Sequence, residues 1–479
     1  MLENKIQAII LAAGRSTRFN SGRTKLSERI CGQEMILYAT TLLQKIGIPT
    51  TVVTGYARDV VESIITKRHG SALNFIVQSE QNGTGHALLC TKSIWNKDAL
   101  LVINGDMPLI TADIIEQLAQ KHFESNAQIS FVTAHNSDPS LKGYGRVVQE
   151  DHKIRIIEPK EFHGDTHEHC CINAGIYIFN KKFLQESIEK VERSSITNEF
   201  YLTDLIKIAS EAGHVIKTLN VPFDAVRGVN DFKELWTIEQ IKRSEIISQL
   251  MANGVRFYSA QTVHIDIDTT IGTGSYIGAG VHIINGSHIG SNCHIEAFSI
   301  INNSKIGDAV TVYAHTMVTD SLIEESCKIG PFAHIEGNST VHHNAVIGNF
   351  VQIKKTTIGA KTKAKHLSFI GNANVGTAVN IGAGTITCNY DGVNKHTTTI
   401  EDNTFIGSNN TLVAPVTLSK NSYTAAGSVI TSNVPENALA VARSRQINKE
   451  GYAQKIKEPG MQSPYIAAIK TNSSHIEGT

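Results

Sequence analysis

A branched or aliphatic residue returns every six positions through most of the second half of the chain, and many of these residues are followed directly by glycine. A period of six fits neither an amphipathic helix, with its period of 3.6, nor an alternating strand, with its period of 2. It is typical of hexapeptide repeats that wind into a parallel β-helix, in which each repeat forms a short strand and a corner. We therefore expect a rigid rod with the recurrent aliphatic side chains inside. The repeat covers positions 271–301, 306–318, 323–353 and 400–430, with Thr424 filling one aliphatic position.

The 479 residues are too many for a single hydrophobic core, so we expect two domains. Lysine plus arginine equals aspartate plus glutamate at 44 each, and this balance argues against nucleic acid or an anionic membrane as a partner. The seven cysteines form no CxxC pair, so a reducing cytoplasm is the simplest setting. The apolar run 6–13 is too short to span a bilayer and is better interpreted as a buried strand.

The first half alternates strand-like and helix-like segments, a pattern typical of a parallel sheet covered by helices. Ligands of such sheets bind outside the carboxyl ends of the strands. Predicted strands are 7–13, 51–54, 74–78 and 100–104, and predicted helices are 34–46, 57–68 and 112–123.

A long helix is predicted to join the two halves. Asp231 and Glu234 have the spacing of a capping pair at its start, and Asn253-Gly254 is expected to end it. The predicted domains are a nucleotide-handling domain at 1–228, a linker helix at 229–253, a β-helix at 254–448 and a tail at 449–479.

A phosphate site is suggested at the end of the first strand. There Gly14 allows a tight turn whose amides can contact phosphate oxygens, and Arg18 and Lys25 add positive charge. The alternative is an ordinary strand-to-helix turn with solvated cations. Neither a P-loop nor a GxGxxG motif is present.

A carboxylate follows another predicted strand, in Asn104-Gly105-Asp106. An aspartate there is usually a cap or turn residue. Asp106 lies, however, in the same layer as the Gly14 loop, and Mg²⁺ prefers one or two carboxylates together with substrate phosphates.

These segments, with Gln78-Ser-Glu-Gln-Asn-Gly83-Thr84, closely resemble the bacterial bifunctional N-acetylglucosamine-1-phosphate uridylyltransferase/glucosamine-1-phosphate acetyltransferase family. The resemblance runs from Leu11 to about Gly451. It implies an α/β Rossmann-like nucleotidyltransferase domain followed by a left-handed parallel β-helix of hexapeptide repeats. Thr24, where proline is usual, and Phe200, where tyrosine is common, are mild departures.

The resemblance assigns roles to residues of the first half. Arg18 and Lys25 are the catalytic, triphosphate-binding cations. The remaining positions are Gly14, Gln78, Gly83 and Thr84 for uridine; Asp106 and Asn230 for Mg²⁺; and Gly145, Glu158, Asn173 and Thr203 for the sugar phosphate.

The repeat is interrupted after Thr387 by Cys388-Asn-Tyr-Asp-Gly-Val-Asn-Lys395. A solvated turn rich in Asn, Asp and Gly is the plain interpretation. The segment also resembles the acetyltransferase loop of the same family almost residue for residue. His366 falls on the family's general base, which takes a proton from the attacking amine. A zinc site of three histidines is conceivable, but no spacing compels it.

The resemblance further implies acetyl-CoA as co-substrate and a homotrimer whose subunits share the acetyl site. It assigns Lys354, Asn380, Asn389, Tyr390 and Lys395 to the acetyltransferase substrate, and Ser408, Ala426 and Arg443 to acetyl-CoA.

Two departures bear on the second activity. Glu336 stands where the family has an arginine that binds the substrate phosphate, and losing such a charge-assisted hydrogen bond costs about 1.5–3 kcal/mol. Phe369 replaces a substrate-contacting tyrosine.

We therefore predict a two-step synthesis of UDP-N-acetylglucosamine. Acetyl transfer to glucosamine 1-phosphate is followed by uridylyl transfer from UTP to N-acetylglucosamine 1-phosphate. One alternative keeps the uridylyltransferase and treats the rod as a trimerisation scaffold without catalysis. Another treats both halves as a sugar-nucleotide sensor, although the presence of Arg18, Lys25 and Asp106 together argues against it.

Overall fold

The structure, a computed structural model, describes residues 2–15, 19, 23–136, 143–151, 153–162 and 170–457. The chain divides into two compact units, 1–350 and 351–479. The first unit contains an α/β domain, a long helix and the first coils of a β-helix. The second unit contains further coils. The predicted domain boundaries at 228, 253 and 448 stay predictions.

The α/β domain follows the predicted alternation. Its described strands are β1 (Ile6–Ala12), β2 (Arg29–Ile30), β3 (Gln33–Glu34), β4 (Thr50–Thr54), β5 (Asn74–Val77), β6 (Ala99–Asn104), β7 (Ile129–His135), β8 (Arg146–Glu150), β9 (Lys153–Ile157), β10 (Cys171–Asn180) and β11 (Ile216–Asn220). Its described α-helices are α1 (Leu2–Lys5), α2 (Met35–Lys45), α3 (Arg58–His69), α4 (Thr84–Leu89), α5 (Ala112–Glu124), α6 (Lys181–Ser187) and α7 (Asp204–Glu211), and short 3-10 turns lie at Lys25–Ser27, Lys92–Ile94, Ile188–Lys190 and Phe223–Val226.

The main sheet has the strand order β11-β7-β10-β6-β1-β4-β5. The strands β6, β1, β4 and β5 are parallel, as predicted. The residues of β6, β1 and β4 are almost all buried, which reflects cover on both faces of the sheet. The sheet is mixed, whereas the sequence predicted a parallel sheet, because β10 runs antiparallel to β6 and β7. This orientation brings the start of β10 to the edge where β1 and β6 end. The strand order reverses at β1, and ligands bind at such a point in open α/β sheets.

The helix α8 (Phe232–Ala252) begins and ends as predicted. The Asp231 carboxylate accepts the backbone N–H of Glu234 at 2.8 Å, and the Glu234 carboxylate accepts the N–H of Asn230 at 2.6 Å. Each acidic side chain thus satisfies an N–H group near the helix start. After the cap residue Asn253, Gly254 has a φ of +85°, a conformation that ends the helix.

Short parallel strands form the β-helix in each unit. In the first unit they are β12 (Arg256–Phe257), β13 (His264–Ile265), β14 (Thr270–Ile271), β15 (Tyr276–Ile277), β16 (His282–Ile284), β17 (His288–Ile289), β18 (His294–Ile295), β19 (Ile300–Asn302), β20 (Lys305–Ile306), β21 (Thr311–Val312), β22 (Met317–Thr319), β23 (Leu322–Ile323), β24 (Lys328–Ile329), β25 (His334–Glu336) and β26 (Thr340–Val341). The strand β27 (Val346–Lys354) continues along the chain into the second unit, whose strands are β28 (Thr357–Ile358), β29 (Lys363–Gly371), β30 (Ala373–Val375), β31 (Asn380–Ile381), β32 (Ile386–Cys388), β33 (Thr398–Ile400), β34 (Phe405–Ile406), β35 (Thr411–Val413), β36 (Val416–Leu418), β37 (Tyr423–Thr424), β38 (Val429–Ile430) and β39 (Leu439–Ala440), followed by the short helix α9 (Tyr452–Lys455).

Every third hexapeptide pairs in register. In the first unit Ile277 lies beside Ile295, and in the second unit Ile381 lies beside Ile406. All residues at the six-residue positions are buried, with at most 7% of their surface exposed, which confirms the predicted inward column.

The corners of the coils adopt left-handed backbone conformations. Many are asparagines, which tolerate positive φ better than other side chains. Larger residues also occupy such corners in the first unit, where Phe298, His315, Phe332 and Phe350 stack in a column with ring centroids 5.1–5.3 Å apart.

A buried histidine makes the stability of the α/β domain dependent on pH. His122 on α5 has 2% of its surface exposed, and its Nδ1 lies 2.9 Å from the Ser130 hydroxyl on β7. Burial lowers the pKa of His122 from 6.5 to about 4. The stabilisation given by the neutral ring is therefore present above pH 6.5 and is lost as the pH falls towards 4.

We predict that the parent protein loses about 2 kcal/mol of stability between pH 7 and pH 5 through this residue, and that His122→Gln removes this part of the pH dependence. Denaturant midpoints of the α/β domain across this range measure the effect. Ser130→Ala, which keeps the buried imidazole, is the matched control and should retain the parent's slope. Parallel profiles for the parent and His122→Gln would contradict the prediction.

Candidate active sites

A cavity of about 970 Å³ lies at the carboxyl edge of the α/β sheet. It is bounded by the ends of β1, β5 and β6, by the start of β10 and by the loops that follow them. All the predicted site residues of the first half that the structure describes line this one cavity; Arg18 lies outside the described residues. The lining residues among the predictions are Gly14, Lys25, Gln78, Gly83, Thr84, Asp106, Gly145, Glu158, Asn173, Thr203 and Asn230.

Lys25 and Asp106 form an ion pair within the cavity. The Lys25 ammonium also donates to the Val229 carbonyl at 2.8 Å, and both side chains are about four-fifths shielded from solvent. A cation therefore already lies on the carboxylate predicted to hold Mg²⁺. The Asp106 oxygens thus face a position suited to positive charge.

The segment that carries Asn230 is held against the cavity by Tyr144. The Tyr144 hydroxyl donates to the Gly228 carbonyl at 3.1 Å and accepts the Gly228 N–H at 2.9 Å. Glu234 holds the other end by accepting the Asn230 N–H, and burial raises the pKa of this carboxyl. The sequence-based site omitted both Tyr144 and Glu234. A hydroxyl-bearing aromatic residue between Gly143 and Gly145 was the signal for the first.

The predicted uridine-binding residues stabilise their own loop. The Gln78 amide donates to the Gly83 carbonyl at 3.0 Å and lies 3.0 Å from His86 Nδ1. Gly83 has a φ of +100°, and a Cβ there would meet the Phe200 carbonyl oxygen at 2.4 Å. The Thr84 hydroxyl accepts the Leu202 N–H at 3.0 Å. The loop before α4 is thereby fixed to the 199–203 segment.

Gly14 leaves open space. A Cβ there would have no other heavy atom within 4 Å, and its φ is not positive. The packing of the protein itself therefore does not require glycine, and the space faces the cavity.

The predicted sugar-phosphate residues also line the cavity and are linked to one another in pairs. The Thr203 hydroxyl donates to the Glu158 carboxylate at 2.7 Å, and burial raises the pKa of Glu158. The Asn173 amide donates to the Tyr177 hydroxyl at 2.5 Å, and its backbone N–H donates to the Gly145 carbonyl at 2.9 Å.

The predicted acetyltransferase loop projects from the second unit between β32 and β33. Its Asp391 carboxylate accepts the N–H groups of Val393 at 2.8 Å and Asn394 at 2.6 Å, and lies 2.6 Å from His396 Nε2. The backbone N–H of Asn394, His396 and the N–H of Val393 hold the pKa of Asp391 well below its usual range. The sequence analysis missed this organising role of Asp391 and His396.

Asn372 links two predicted substrate residues, Asn389 and Lys354. The Asn389 amide donates to the Asn372 side chain at 2.8 Å, and the Asn372 N–H donates to the Lys354 carbonyl at 2.9 Å. Lys354 and Asn389 therefore lie in one column. The ring of Phe369 covers Gly371, where a Cβ would meet it at 2.5 Å and would meet the Asn389 amide nitrogen at 3.0 Å. Phe369 thus stands next to the loop.

The remaining predicted substrate residues are Tyr390 and Lys395, which are exposed on the loop, and Asn380, which lies outside it. Tyr390 pairs with Lys395 across the loop, and its hydroxyl donates to the Gly392 carbonyl at 2.6 Å. Asn380 lies on β31 and His366 is an exposed residue of β29. Their direct contribution to one site stays a prediction.

The predicted acetyl-CoA residues follow one another on successive coils. The Gly427 N–H donates to the Ser408 carbonyl at 2.8 Å, and Arg443 Cδ would lie 3.8 Å from a Cβ at Gly427. Ala426 precedes Gly427 on the same exposed corner. Glu336, in the first unit, is half-buried on β25.

Comparison with known proteins finds three family models along the chain. Residues 8–173 match the MobA-like NTP transferase domain, residues 259–341 match the GMPPB C-terminal domain and residues 397–432 match the hexapeptide repeat of succinyl-transferase. Relatives that cover nearly the whole chain are called bifunctional protein GlmU. The one from Thermosipho melanesiensis is 41% identical over 93% of this chain and 97% of its own length.

The chain belongs to the bifunctional GlmU family. Its relative in Koribacter versatilis is 38% identical over 94% of this chain and 97% of its own length, and the one in Streptococcus agalactiae is 39% identical over 94% and 97%. Family membership confirms the predicted fold class and the prediction of one enzyme with uridylyltransferase and acetyltransferase activities. The scaffold-only alternative is not favoured, because the GlmU relatives are bifunctional.

Two further observations on the structure concern metals and membranes. Among the residues that the structure describes, there is no group of three or more His, Cys, Asp or Glu side chains arranged to hold a metal. Within the same ranges, every helix is too short or too polar to cross a lipid bilayer.

The loop carboxylate provides a test of the second unit. We predict that Asp391→Ala accelerates amide hydrogen exchange at Val393 and Asn394 by roughly tenfold or more, because both N–H groups lose their acceptor. Asp391→Asn, which keeps a carbonyl oxygen, should show a smaller change. Equal exchange in the parent and Asp391→Ala would show that the carboxylate does not order the loop.

Proposed function

We propose that the cavity of the α/β domain is the uridylyl-transfer site and that the residues lining it carry the roles predicted above. The supporting observation is that all the described candidates, from segments spread between Gly14 and Asn230, line one cavity. Lys25 is the catalytic cation, with Arg18 as its predicted companion. The uridine lies against the loop of Gln78, Gly83 and Thr84, and the sugar phosphate lies against Gly145, Glu158, Asn173 and Thr203.

Asp106 and Asn230 are proposed to hold Mg²⁺. The fit rests on the Asp106 carboxylate, which already attracts the Lys25 ammonium, and on the Asn230 segment fixed beside it by Tyr144 and Glu234. One carboxylate and one amide are few ligands, but Mg²⁺ sites are usually completed by substrate phosphates and water. When bound, Mg²⁺ supplies charge neutralisation for the phosphates.

The chemistry requires positioning more than proton transfer. An oxygen of N-acetylglucosamine 1-phosphate forms a bond to the α-phosphorus of UTP, while the bond from that phosphorus to the bridging oxygen breaks and pyrophosphate leaves. The attacking phosphate is already ionised, so no general base is needed. Lys25 stabilises the charge that develops on the leaving group, and the residues lining the cavity keep the reacting groups in line.

The second site is proposed to lie on the rod, around the 388–396 loop. His366 accepts a proton as the amine nitrogen of glucosamine 1-phosphate attacks the thioester carbon of acetyl-CoA. The new C–N bond replaces the C–S bond, and the departing coenzyme A sulfur takes up the proton that His366 accepted, so that coenzyme A leaves as a thiol. Lys354, Asn380, Asn389, Tyr390 and Lys395 contact the sugar phosphate, and Ser408, Ala426 and Arg443 contact the coenzyme. Lys354 and Lys395 are proposed to supply the positive charge that Glu336 does not.

We also propose a cytoplasmic homotrimer. The seven free cysteines fit a reducing compartment, and the trimer follows from the family resemblance because the acetyl site is shared between subunits.

We predict that Lys25→Ala lowers the rate of uridylyl transfer by about two orders of magnitude or more, as loss of a preorganised charge does. The rate is measured as pyrophosphate released from UTP. The same variant should bind Mn²⁺, a spectroscopic substitute for Mg²⁺, more tightly without nucleotide, because the ammonium no longer competes for Asp106.

Lys92→Ala is the matched control, since this exposed lysine pairs with Glu189 away from the cavity. Undiminished turnover by Lys25→Ala would refute its catalytic role, and weaker Mn²⁺ binding would refute the competition. Absence of pyrophosphate release by the parent would favour the sensor interpretation.

We predict that His366→Ala lowers acetyl transfer by about a hundredfold or more, measured as free thiol released from acetyl-CoA in the presence of glucosamine 1-phosphate. His288→Ala, an exposed histidine on an earlier coil, should leave the rate unchanged. A rate that survives His366→Ala would reject this base, and a parent without any rate would favour the scaffold.

A further inference from the structure

The turn of the β2–β3 hairpin in the α/β domain lies against the first coil of the rod. Both belong to the compact unit 1–350. The turn consists of Cys31 and Gly32, which both have positive φ. The backbone N–H of Ile267 on the rod donates to the Cys31 carbonyl at 2.9 Å. The α/β domain and the first coil of the rod are therefore joined by a direct hydrogen bond in addition to α8.

The carboxylate of Asp266 covers Gly32 closely. A Cβ at Gly32 would meet the Asp266 Cγ at 2.4 Å and both carboxylate oxygens within 2.8 Å. Asp266 is not free to move aside, because its Oδ2 accepts the Asn285 N–H at 2.7 Å and only 9% of the residue is exposed. The rod thus presents a fixed surface that only glycine, at a φ of +79°, can approach.

The turn is also held on the side of α8. The Cys31 thiol lies 3.8 Å from the Glu239 carbonyl, and the Tyr38 hydroxyl donates to the Ile30 carbonyl at 2.6 Å. The Lys242 ammonium lies 5.5 Å from the centre of the Tyr38 ring. Displacement of the turn is therefore opposed by helix and rod together.

A short chain of hydrogen bonds leads from this turn to Lys25. Lys25 opens the 3-10 turn Lys25–Ser27, and its carbonyl accepts the Glu28 N–H at 3.0 Å. The Glu28 carbonyl in turn accepts the Met35 N–H at 2.9 Å, which closes the base of the hairpin. A shift of the hairpin is therefore transmitted to the backbone of Lys25.

We propose that Asp266 of the rod is a positioning residue for uridylyl transfer, acting through the Cys31–Gly32 turn on Lys25. The first coil of the rod then contributes to uridylyl transfer in the α/β domain. This inference rests on the proposed role of Lys25.

The test compares two glycine variants that both place an alanine at a positive φ. Gly32→Ala inserts a methyl group against Asp266, whereas Gly70→Ala, at a φ of +61°, inserts one into open space. We expect Gly32→Ala to lower the kcat of uridylyl transfer at least tenfold while the KM for UTP changes less than threefold, because the uridine loop is untouched. Gly70→Ala should retain the parent kcat. The acetyl-transfer rate of each preparation serves as the internal control for folding.

Asp266→Ala provides an independent measurement, because it removes the carboxylate that covers Gly32 without inserting an atom. Alone it should lower the same kcat several-fold. Combined with Gly32→Ala it removes the three atoms nearest to the new methyl group, so the double variant should recover to the level of Asp266→Ala. Parent-like kcat in both single variants, or equal losses in Gly32→Ala and Gly70→Ala, would overturn the proposal.

Lys25→Ala, assayed in the same series, separates the two possible failures. Normal transfer by Lys25→Ala contradicts the role of Lys25. Normal transfer by Gly32→Ala and Asp266→Ala contradicts only the proposed positioning role of Asp266.

Discussion

Backbone pairing between successive coils is the constraint on which the rod depends. Each strand hydrogen-bonds to the strand one coil later, so the inward positions must be aliphatic and the corners must accept positive φ. These requirements leave the outward side chains free to vary. Ser408 and Asp266 occupy such outward or corner positions, and the coil fixes where each one lies. A surface built in this way is stiff enough for close contacts with substrates and with other parts of the chain.

Features set by local pattern were predictable from the sequence. The six-residue period identified the buried column from Ile271 to Ile430, because an inward position leaves little choice of residue. The cap formed by Asp231 and Glu234 followed from its spacing alone. The common location of Gly14, Lys25 and Asp106 was also predictable, since parallel strands end at the same edge of a sheet.

Features set by the tertiary fold were not predictable in this way. The antiparallel direction of β10 depends on which edge of the sheet remains available, and no residue type in Cys171–Asn180 encodes it. The ion pair of Lys25 with Asp106 joins segments far apart in sequence. Tyr144 was passed over because its role depends on Gly228, and Gly32 because its role depends on Asp266. In each case the two partners are far apart in sequence, so only the fold shows which residues meet.

The contact between Gly32 and Asp266 also bears on the order of events during translation. The hairpin leaves the ribosome about 230 residues before the coil that supports it, an interval of roughly 10–50 s at ordinary elongation rates. During this time the nascent α/β domain has its own sheet but lacks the surface against which the turn rests. If Asp266 positions Lys25 as proposed, the site for uridylyl transfer reaches its final geometry only after the beginning of the C-terminal half has been made.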